Sequence, residues 1–282
     1  MPSKIERRKG ISFDDILLVP KRSEIPSREI PKTDTFLGSL RLRVPIVSAP
    51  MDTVSGGSLV TGIGMAGGLG VLTRFPNMES YDGYARTLRA IEDVVERRKS
   101  SGIDFPIGIA VGCVWNDEFQ KFIAECLPNV QAVVLDVAHA DAAHVYSFTE
   151  TMVRFIESEA TIKPVVIAGS ICTTSAARSF KSCGVPVLRV GFGCGSVCTT
   201  RLATGFGYPQ LTAIMKIMEC VEDVQVISDG GIRFWGDAVK SLWAGASAVM
   251  TGYMFAGCMD SINSSLYRGM SSAALTKEGR AP

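Results

Sequence analysis

Eight short apolar runs, rich in β-branched residues, punctuate the chain. Each gives way within a few residues to Gly, Ser, Pro or Asp. They are VPIVSAP (44–50), GGLGVL (67–72), PIGIAVG (106–112), VQAVVLD (130–136), KPVVIAG (163–169), VPVLRVG (185–191), VQVISDGG (224–231) and ASAVMTG (246–252). Their hydrophobicity is continuous rather than alternating, which is what strands buried on both faces require. Between most of them lie helix-like stretches at 77–100, 116–127, 140–159, 173–183, 209–222 and 236–244. Eight such strands with helical crossovers predict an α/β fold, a (β/α)8 TIM barrel. A doubly wound sheet is the alternative. It would place one glycine-rich loop early in the chain, whereas here small-residue loops follow nearly every strand.

The 282 residues match the roughly 250 of one α/β barrel as well as they match two smaller domains. The reading adopted is one barrel domain over 1–282. Residues 253–282 contain no long amphipathic helix, so the helix that would close the barrel after the eighth strand is expected to be absent. At 46% apolar residues the chain can bury a large core. A formal net charge of +1 implies no nucleic-acid partner, the ERRK segments at 6–9 and 96–99 reading as solvated faces. The eight cysteines form no CxxC pair, and Met1 to Gly10 is polar, so they read as reduced thiols of a cytoplasmic protein. No apolar run is long enough to cross a membrane. Two histidines, His139 and His144, are too few for a His-rich metal site.

In a barrel, catalytic groups gather at the C-terminal ends of the strands, and phosphates bind after the seventh and eighth. The seventh strand here ends in SDGG (228–231) and the eighth in TGY (251–253). Gly230, Gly231 and Gly252 can offer backbone N–H groups to a phosphate, and Asp229 can accept from a sugar's hydroxyls. Taken alone, DGG would be a tight turn with a capping aspartate; two adjacent glycine loops favour a phosphate site. The sixth strand ends in GFGCGSVCTT (191–200), where Cys198 precedes Thr199 and Thr200. A thiolate there could be held by loop N–H groups and attack an electrophilic carbon. Cys194, between glycines, contributes backbone. His139, in LDVAHAD (135–141), reads as a helix-capping residue before a general base, and Asp136 could meet a ribose hydroxyl. GIGMAG (62–67) matches the dinucleotide fingerprint but should then follow a strand and open a helix. It reads instead as the end of the first helix, closely packed on a strand.

An ordered set of segments resembles the family of IMP dehydrogenases and GMP reductases along nearly the whole chain. The set includes SFDDILLVPKRSEIPSR (12–28), VPIVSAPMDTVS (44–55), AVVLDVAHA (132–140), VVIAGSICT (165–173), LRVGFGCGSVCTTR (188–201), TGFGYPQLTA (204–213), VISDGGI (226–232), VMTGYMFAG (249–257) and YRGMSS (267–272). The resemblance implies that Cys198 bonds to C2 of a purine nucleotide. It implies that Ser196, Gly231, Gly252 and Tyr253 hold the 5′-phosphate, that Asp229 binds the ribose, and that Met51, Gly269 and Met270 frame the base, with Gly230 and Arg268 also among the substrate-binding residues. Asp136, Val137 and Ala138 would lie at the nicotinamide cofactor. Carbonyls of Gly193, Gly195 and Cys198 match those that hold a monovalent cation, typically potassium (K+), and a homotetramer is the usual assembly.

Of the two branches, CTTR followed by TGFGYPQ resembles the reductases, while SAPMDTV, LRVG, GCGS and DVAHA resemble the dehydrogenases. The short link between the second and third strands leaves no room for the dehydrogenases' regulatory insert. The reading that leads is a GMP reductase: Cys198 attacks C2 of GMP, Thr200 helps ammonia depart, and NADPH delivers hydride to give IMP. A departing amine needs a proton; Glu278, in the flap that 259–282 would begin, is the candidate acid. Dehydrogenation of IMP with NAD is the alternative. A purine-nucleotide-binding protein impaired in turnover is the second, prompted by Ser170, where relatives commonly have asparagine, and by the absent closing helix.

Overall fold

The eight apolar runs become eight parallel strands that close on themselves. The computed structural model describes residues 9–27, 29, 32–74 and 84–269. A short hairpin, β1 (Thr35–Leu37) and β2 (Leu40–Leu42), precedes the barrel. The barrel strands are β3 (Ile46–Ser48), β4 (Gly70–Leu72), β5 (Ile107–Val111), β6 (Ala132–Leu135), β7 (Val165–Ile171), β8 (Val187–Val190), β9 (Gln225–Asp229) and β10 (Ala248–Thr251). They lie in the order β3-β10-β9-β8-β7-β6-β5-β4, each pair parallel. Val47 bridges Leu69, with Leu69 N donating to Ile46 O at 2.9 Å and Ser48 N to Leu69 O at 3.0 Å, which joins the two ends of the sheet.

Side chains alternate between two cores, as strand geometry requires. On β6, Ala132 and Val134 point into the barrel with Val47, Val71, Ile167, Val187, Ile227 and Met250. Val133 and Leu135 point out, against the helices. Both faces are apolar, so the strand sequences could not alternate. Leu37 and Leu42 of the hairpin join the inner core. The hairpin is pinned to the strand starts, Thr35 Oγ1 donating to Ser247 O at 2.8 Å and Gly38 N to the Gln225 side chain. It therefore plugs the N-terminal mouth, a feature with no counterpart in the sequence reading.

The outer layer is α1 (Gly57–Ala66), α2 (Ala85–Ser101), α3 (Asp117–Cys126), α4 (Ala143–Glu159), α5 (Thr174–Ser182), α6 (Thr200–Thr204), α7 (Gln210–Cys220) and α8 (Trp235–Trp243). Caps set two of the starts: Asn116 accepts from Phe119 N at 2.8 Å, and Thr173 accepts from Ala176 N at 3.2 Å. The GIGMAG segment lies at the end of α1, where Gly64 abuts the ring of Phe105, the close packing its sequence suggested. The one-turn α6, inside the loop after β8, was not anticipated. No helix follows β10 among the described residues; the chain runs back in turns, with Asn263 N donating to Thr53 O at 2.9 Å. No helix among them is long and apolar enough to cross a membrane.

Candidate active site

At the C-terminal mouth, loops after β3, β6, β8, β9 and β10 converge on a cavity of about 210 Å³. Met51, Asp136, Ala138, Gly193, Gly195, Ser196, Cys198, Thr200, Asp229, Gly230, Gly231, Gly252, Tyr253 and Gly269 all line it. Val137 does not; its carbonyl accepts from Ser170 N at 3.3 Å, so it braces the neighbouring strand end. Arg268 also departs from expectation. Its guanidinium turns to Asp52, at 2.7 Å, and it lines a different cavity from the one beside Cys198. Met270 and Glu278 lie outside the described residues.

Two turns build the glycine wall. Gly230 and Gly231 adopt φ of +90° and +80°, consecutive left-handed conformations that side chains disfavour, and the Gly230 N–H points back to Met250 O at 3.5 Å. At Gly252 the reason is proximity, since a Cβ there would overlap Met51 Sδ. The loop after β8 is held from behind by Gln210, 1% exposed, whose Nε2 donates to Val190 O at 2.7 Å and to Ser228 Oγ at 3.2 Å.

The two cysteines of this loop stand in opposite environments. Cys198 is half-buried and its Sγ lies 3.2 Å from Thr200 Oγ1, at the start of α6. Cys194 is half-buried as a residue, but its Sγ is enclosed, within reach of Gln210 Oε1 at 3.2 Å and Asp229 O at 3.3 Å as acceptors of its proton. Burial, reinforced by the Asp229 charge, pushes this thiol up to about 12. A thiol so raised is no nucleophile near neutral pH.

The charged element of the cavity is an arginine that the sequence reading passed over. Arg189, 6% exposed on β8, spans two carboxylates. Its Nε and Nη2 contact Asp229 Oδ2 at 3.0 and 2.9 Å, and its Nη1 contacts Asp136 Oδ1 at 3.1 Å. Further donation goes to Ser170 Oγ at 3.1 Å and Leu135 O at 3.3 Å, and Ser170 Oγ donates to Asp229 Oδ2 at 3.3 Å. Burial by itself would lower the arginine's pKa; the Asp229 and Asp136 charges more than offset it, and the net direction is upward. The signal was available: a guanidinium in the middle of VPVLRVG demands buried anions. Tyr267, another lining residue not anticipated, sits edge-on to Tyr253 at 5.9 Å and is raised to about 12, by burial first and then by the Asp229 and Tyr253 charges. His139 caps no helix, since α4 starts behind Ala142; its ring meets Phe192 edge-on at 5.5 Å.

Fold and cavity together define a (β/α)8-barrel enzyme with a cysteine at its strand-end mouth. Residues 10–281 match the model of the IMP dehydrogenase / GMP reductase domain. An inosine-5′-monophosphate dehydrogenase of Cryptosporidium parvum is 32% identical over 96% of this chain and 76% of its own length. One of Borreliella burgdorferi is 29% identical, over 99% and 80%. The crystal structure of inosine 5′-monophosphate dehydrogenase from Legionella pneumophila superposes with a TM-score of 0.76 at 31% identity, covering 90% of this chain and 72% of that one. The chain belongs to the IMP dehydrogenase / GMP reductase family of oxidoreductases acting on purine nucleotides.

Proposed function

We propose that the protein carries out nicotinamide-dependent redox chemistry at C2 of a purine 5′-nucleotide through Cys198, in the direction of an IMP dehydrogenase. The observation that carries the chemistry is the placement of Cys198, the glycine turns 230–231 and 252, and Asp229 around one cavity. The direction rests on relatives named inosine-5′-monophosphate dehydrogenase that match nearly the entire chain. The motif reading CTTR–TGFGYPQ pointed to the reductase instead.

In this reading the loop N–H groups of Gly231 and Gly252 receive the phosphate, with Gly230 shaping the turn and Ser196 and Tyr253 at its edge. Asp229, held by Arg189 with one lone-pair face towards the cavity, accepts from the ribose. Cys198 adds across the C2=N3 bond of the purine, its sulfur to C2 and its proton to N3. A nicotinamide dinucleotide, when bound, supplies the acceptor for the hydride that leaves C2. Asp136 and Ala138, on the opposite side of Arg189 from Asp229, fit its ribose because they present a half-buried carboxylate and open backbone to the same cavity. Water then attacks C2, the sulfur leaves, and XMP is released. Gly193, Gly195 and Cys198 are proposed to offer their carbonyls to a potassium ion. The chain acts in this reading as one catalytic barrel without a regulatory insert, and 259–282 begins a flap over the site.

A second reading is favoured by the 3.2 Å contact between Cys198 Sγ and Thr200 Oγ1. A hydroxyl beside the sulfur suits departure of the C2 amine of GMP, with NADPH as donor and Glu278 as acid. One paired assay decides. IMP with NAD should yield XMP and reduced nicotinamide, while GMP with NADPH should yield no ammonia. Ammonia and IMP from the second mixture would reverse the assignment. If neither mixture reacted, the chemistry itself would be wrong and a nucleotide-binding role would replace it.

A further inference from the structure

The segment GFGYPQ (205–210) sends one polar side chain into the interior. Gln210 opens α7 directly behind Pro209, is 1% exposed, and does not line the Cys198 cavity. Its amide is nonetheless fully used. Nε2 has Val190 O at 2.7 Å, Ser228 Oγ at 3.2 Å and Asp229 O at 3.4 Å as acceptors, and Oε1 has Cys194 Sγ at 3.2 Å as donor. Ser228 Oγ passes the contact on to Ser241 Oγ of α8 at 3.0 Å. Two of these acceptors are carbonyls, so the nitrogen must face them and the oxygen the thiol.

The partners belong to the two loops that make the site. Val190 ends β8, and the loop after it carries Cys198. Asp229 ends β9, directly before the Gly230–Gly231 turn. The two strand exits touch where Gln210 meets them: a Cβ on Gly191 would overlap Asp229 O. Each loop also has bonds of its own. Cys198 N donates to Gly195 O at 3.0 Å, and the Asp229 carboxylate is held by Arg189 at 2.9 Å. Those bonds shape each loop separately. The buried amide fixes one loop against the other.

We infer that Gln210 is a positioning residue, setting the distance between the Cys198 sulfur and C2 of a purine nucleotide anchored on the Asp229–Gly231 turn, a role that rests on the reading of Cys198 as the nucleophile. Bond formation needs the reacting atoms about 3–3.5 Å apart, and a misplacement of about 1 Å costs about 100-fold in rate. Nucleophile and anchors come from different strands, so neither loop sets that distance by itself. An amide suits the task because it donates to carbonyls and accepts from a thiol without carrying charge. A carboxylate in its place would repel Val190 O and Asp229 O.

The test measures position without depending on the direction of the reaction. A purine 5′-nucleotide carrying chlorine at C2 should label Cys198: the S–C2 bond forms, chloride leaves with the bonding pair, and the thiol proton goes to solvent. Iodoacetamide, which no anchor holds, serves as the reference. In Gln210→Met the labelling rate at saturating nucleotide should fall about 100-fold, while the nucleotide's Kd and the iodoacetamide rate at Cys198 stay within about threefold of the parent. A merely structural role would lower the folded fraction and leave the saturated rate per folded molecule unchanged, so equal saturated rates would overturn the inference. A parallel fall in the iodoacetamide rate would overturn it too, since the thiol would then have lost reactivity rather than position. If Gln210→Met does not fold, Ser228→Ala removes one acceptor and leaves the amide in place, and the saturated rate should fall about tenfold with Kd held; an unchanged rate there counts against the role. Absence of labelling at Cys198 in the parent would overturn the nucleophile reading and this role with it.

Discussion

The two mouths of this barrel end the same eight strands in opposite ways. At the N-terminal mouth the β1–β2 hairpin inserts Leu37 and Leu42, 0% and 1% exposed, and ties itself to strand starts through backbone acceptors and the Gln225 side chain. At the C-terminal mouth the strands end in glycine turns around a guanidinium held by two carboxylates. Apolar filling at one end supplies stability, and it leaves the other end free to hold charge and open backbone. The comparison makes a division of labour: changes at the lower mouth should alter how much protein is folded, and changes at the upper mouth should alter what the folded protein does.

The largest expected effect is at Cys198. Cys198→Ala should lower kcat by more than about 1,000-fold, because removing the attacking sulfur removes the covalent route altogether. Thermal denaturation of the variant should match that of the parent, since a half-buried Sγ with one 3.2 Å contact contributes little packing. Retained turnover would break the covalent mechanism, whichever direction the reaction runs.

Arg189 tests whether the upper mouth is purely functional. Arg189→Met keeps the volume but removes the guanidinium that joins Asp229 to Asp136, and leaves Asp136 only its 3.5 Å pairing with Arg74. Removing one partner of such a network costs about 3–5 kcal/mol, and both stability and nucleotide affinity should fall. Urea denaturation and equilibrium dialysis read the two separately. A variant that unfolds normally yet fails to bind would make Arg189 a positioning residue alone.

Leu37 tests the lower mouth. Leu37→Ala should cost about 2–3 kcal/mol, the low end for a buried leucine because a three-residue strand can settle into the space left. Activity per folded molecule should stay constant. A change in kcat would mean that the plug transmits strain through the barrel and would blur the division between its ends.

Much of the upper mouth was readable from the chain because its chemistry is written in neighbours. Asp229 stands directly before Gly230 and Gly231, and Cys198 directly after a glycine-rich turn, so local sequence carries the site. The barrel was readable for a related reason: strands buried on both faces have no polar residues to disguise them. What escaped depends on contacts between distant segments. Arg189 finds Asp229 across 40 positions and Asp136 across 53. The hairpin's role depends on Thr35 meeting Ser247, 212 positions away. Arg268 was expected to bind substrate, yet its guanidinium pairs with Asp52, 216 positions back along the chain. No run of neighbours announces such pairings, although an arginine inside an apolar strand announces that some pairing exists.

The finest test separates the two thiols of one loop. Cys194 Sγ is enclosed by Gln210 and the Asp229 carbonyl, and its folded pKa of about 12 lies above the ordinary 9.0. The folded state therefore keeps a proton that the unfolded chain gives up first. That contribution to stability is fully present below pH 9.0 and is lost as pH rises through about 12. At neutral pH, Cys194→Ser should change the melting temperature little, because serine's hydroxyl can donate its one proton to the same acceptors. Above about pH 9 the parent should lose stability faster than the variant, whose hydroxyl does not titrate there. Iodoacetamide should meanwhile modify Cys198 in the native protein and reach Cys194 only on unfolding. Superimposable melting curves for parent and variant across the alkaline range would show that the Cys194 sulfur is in contact with solvent, and the contrast between the two thiols would then rest on position in the loop rather than on enclosure.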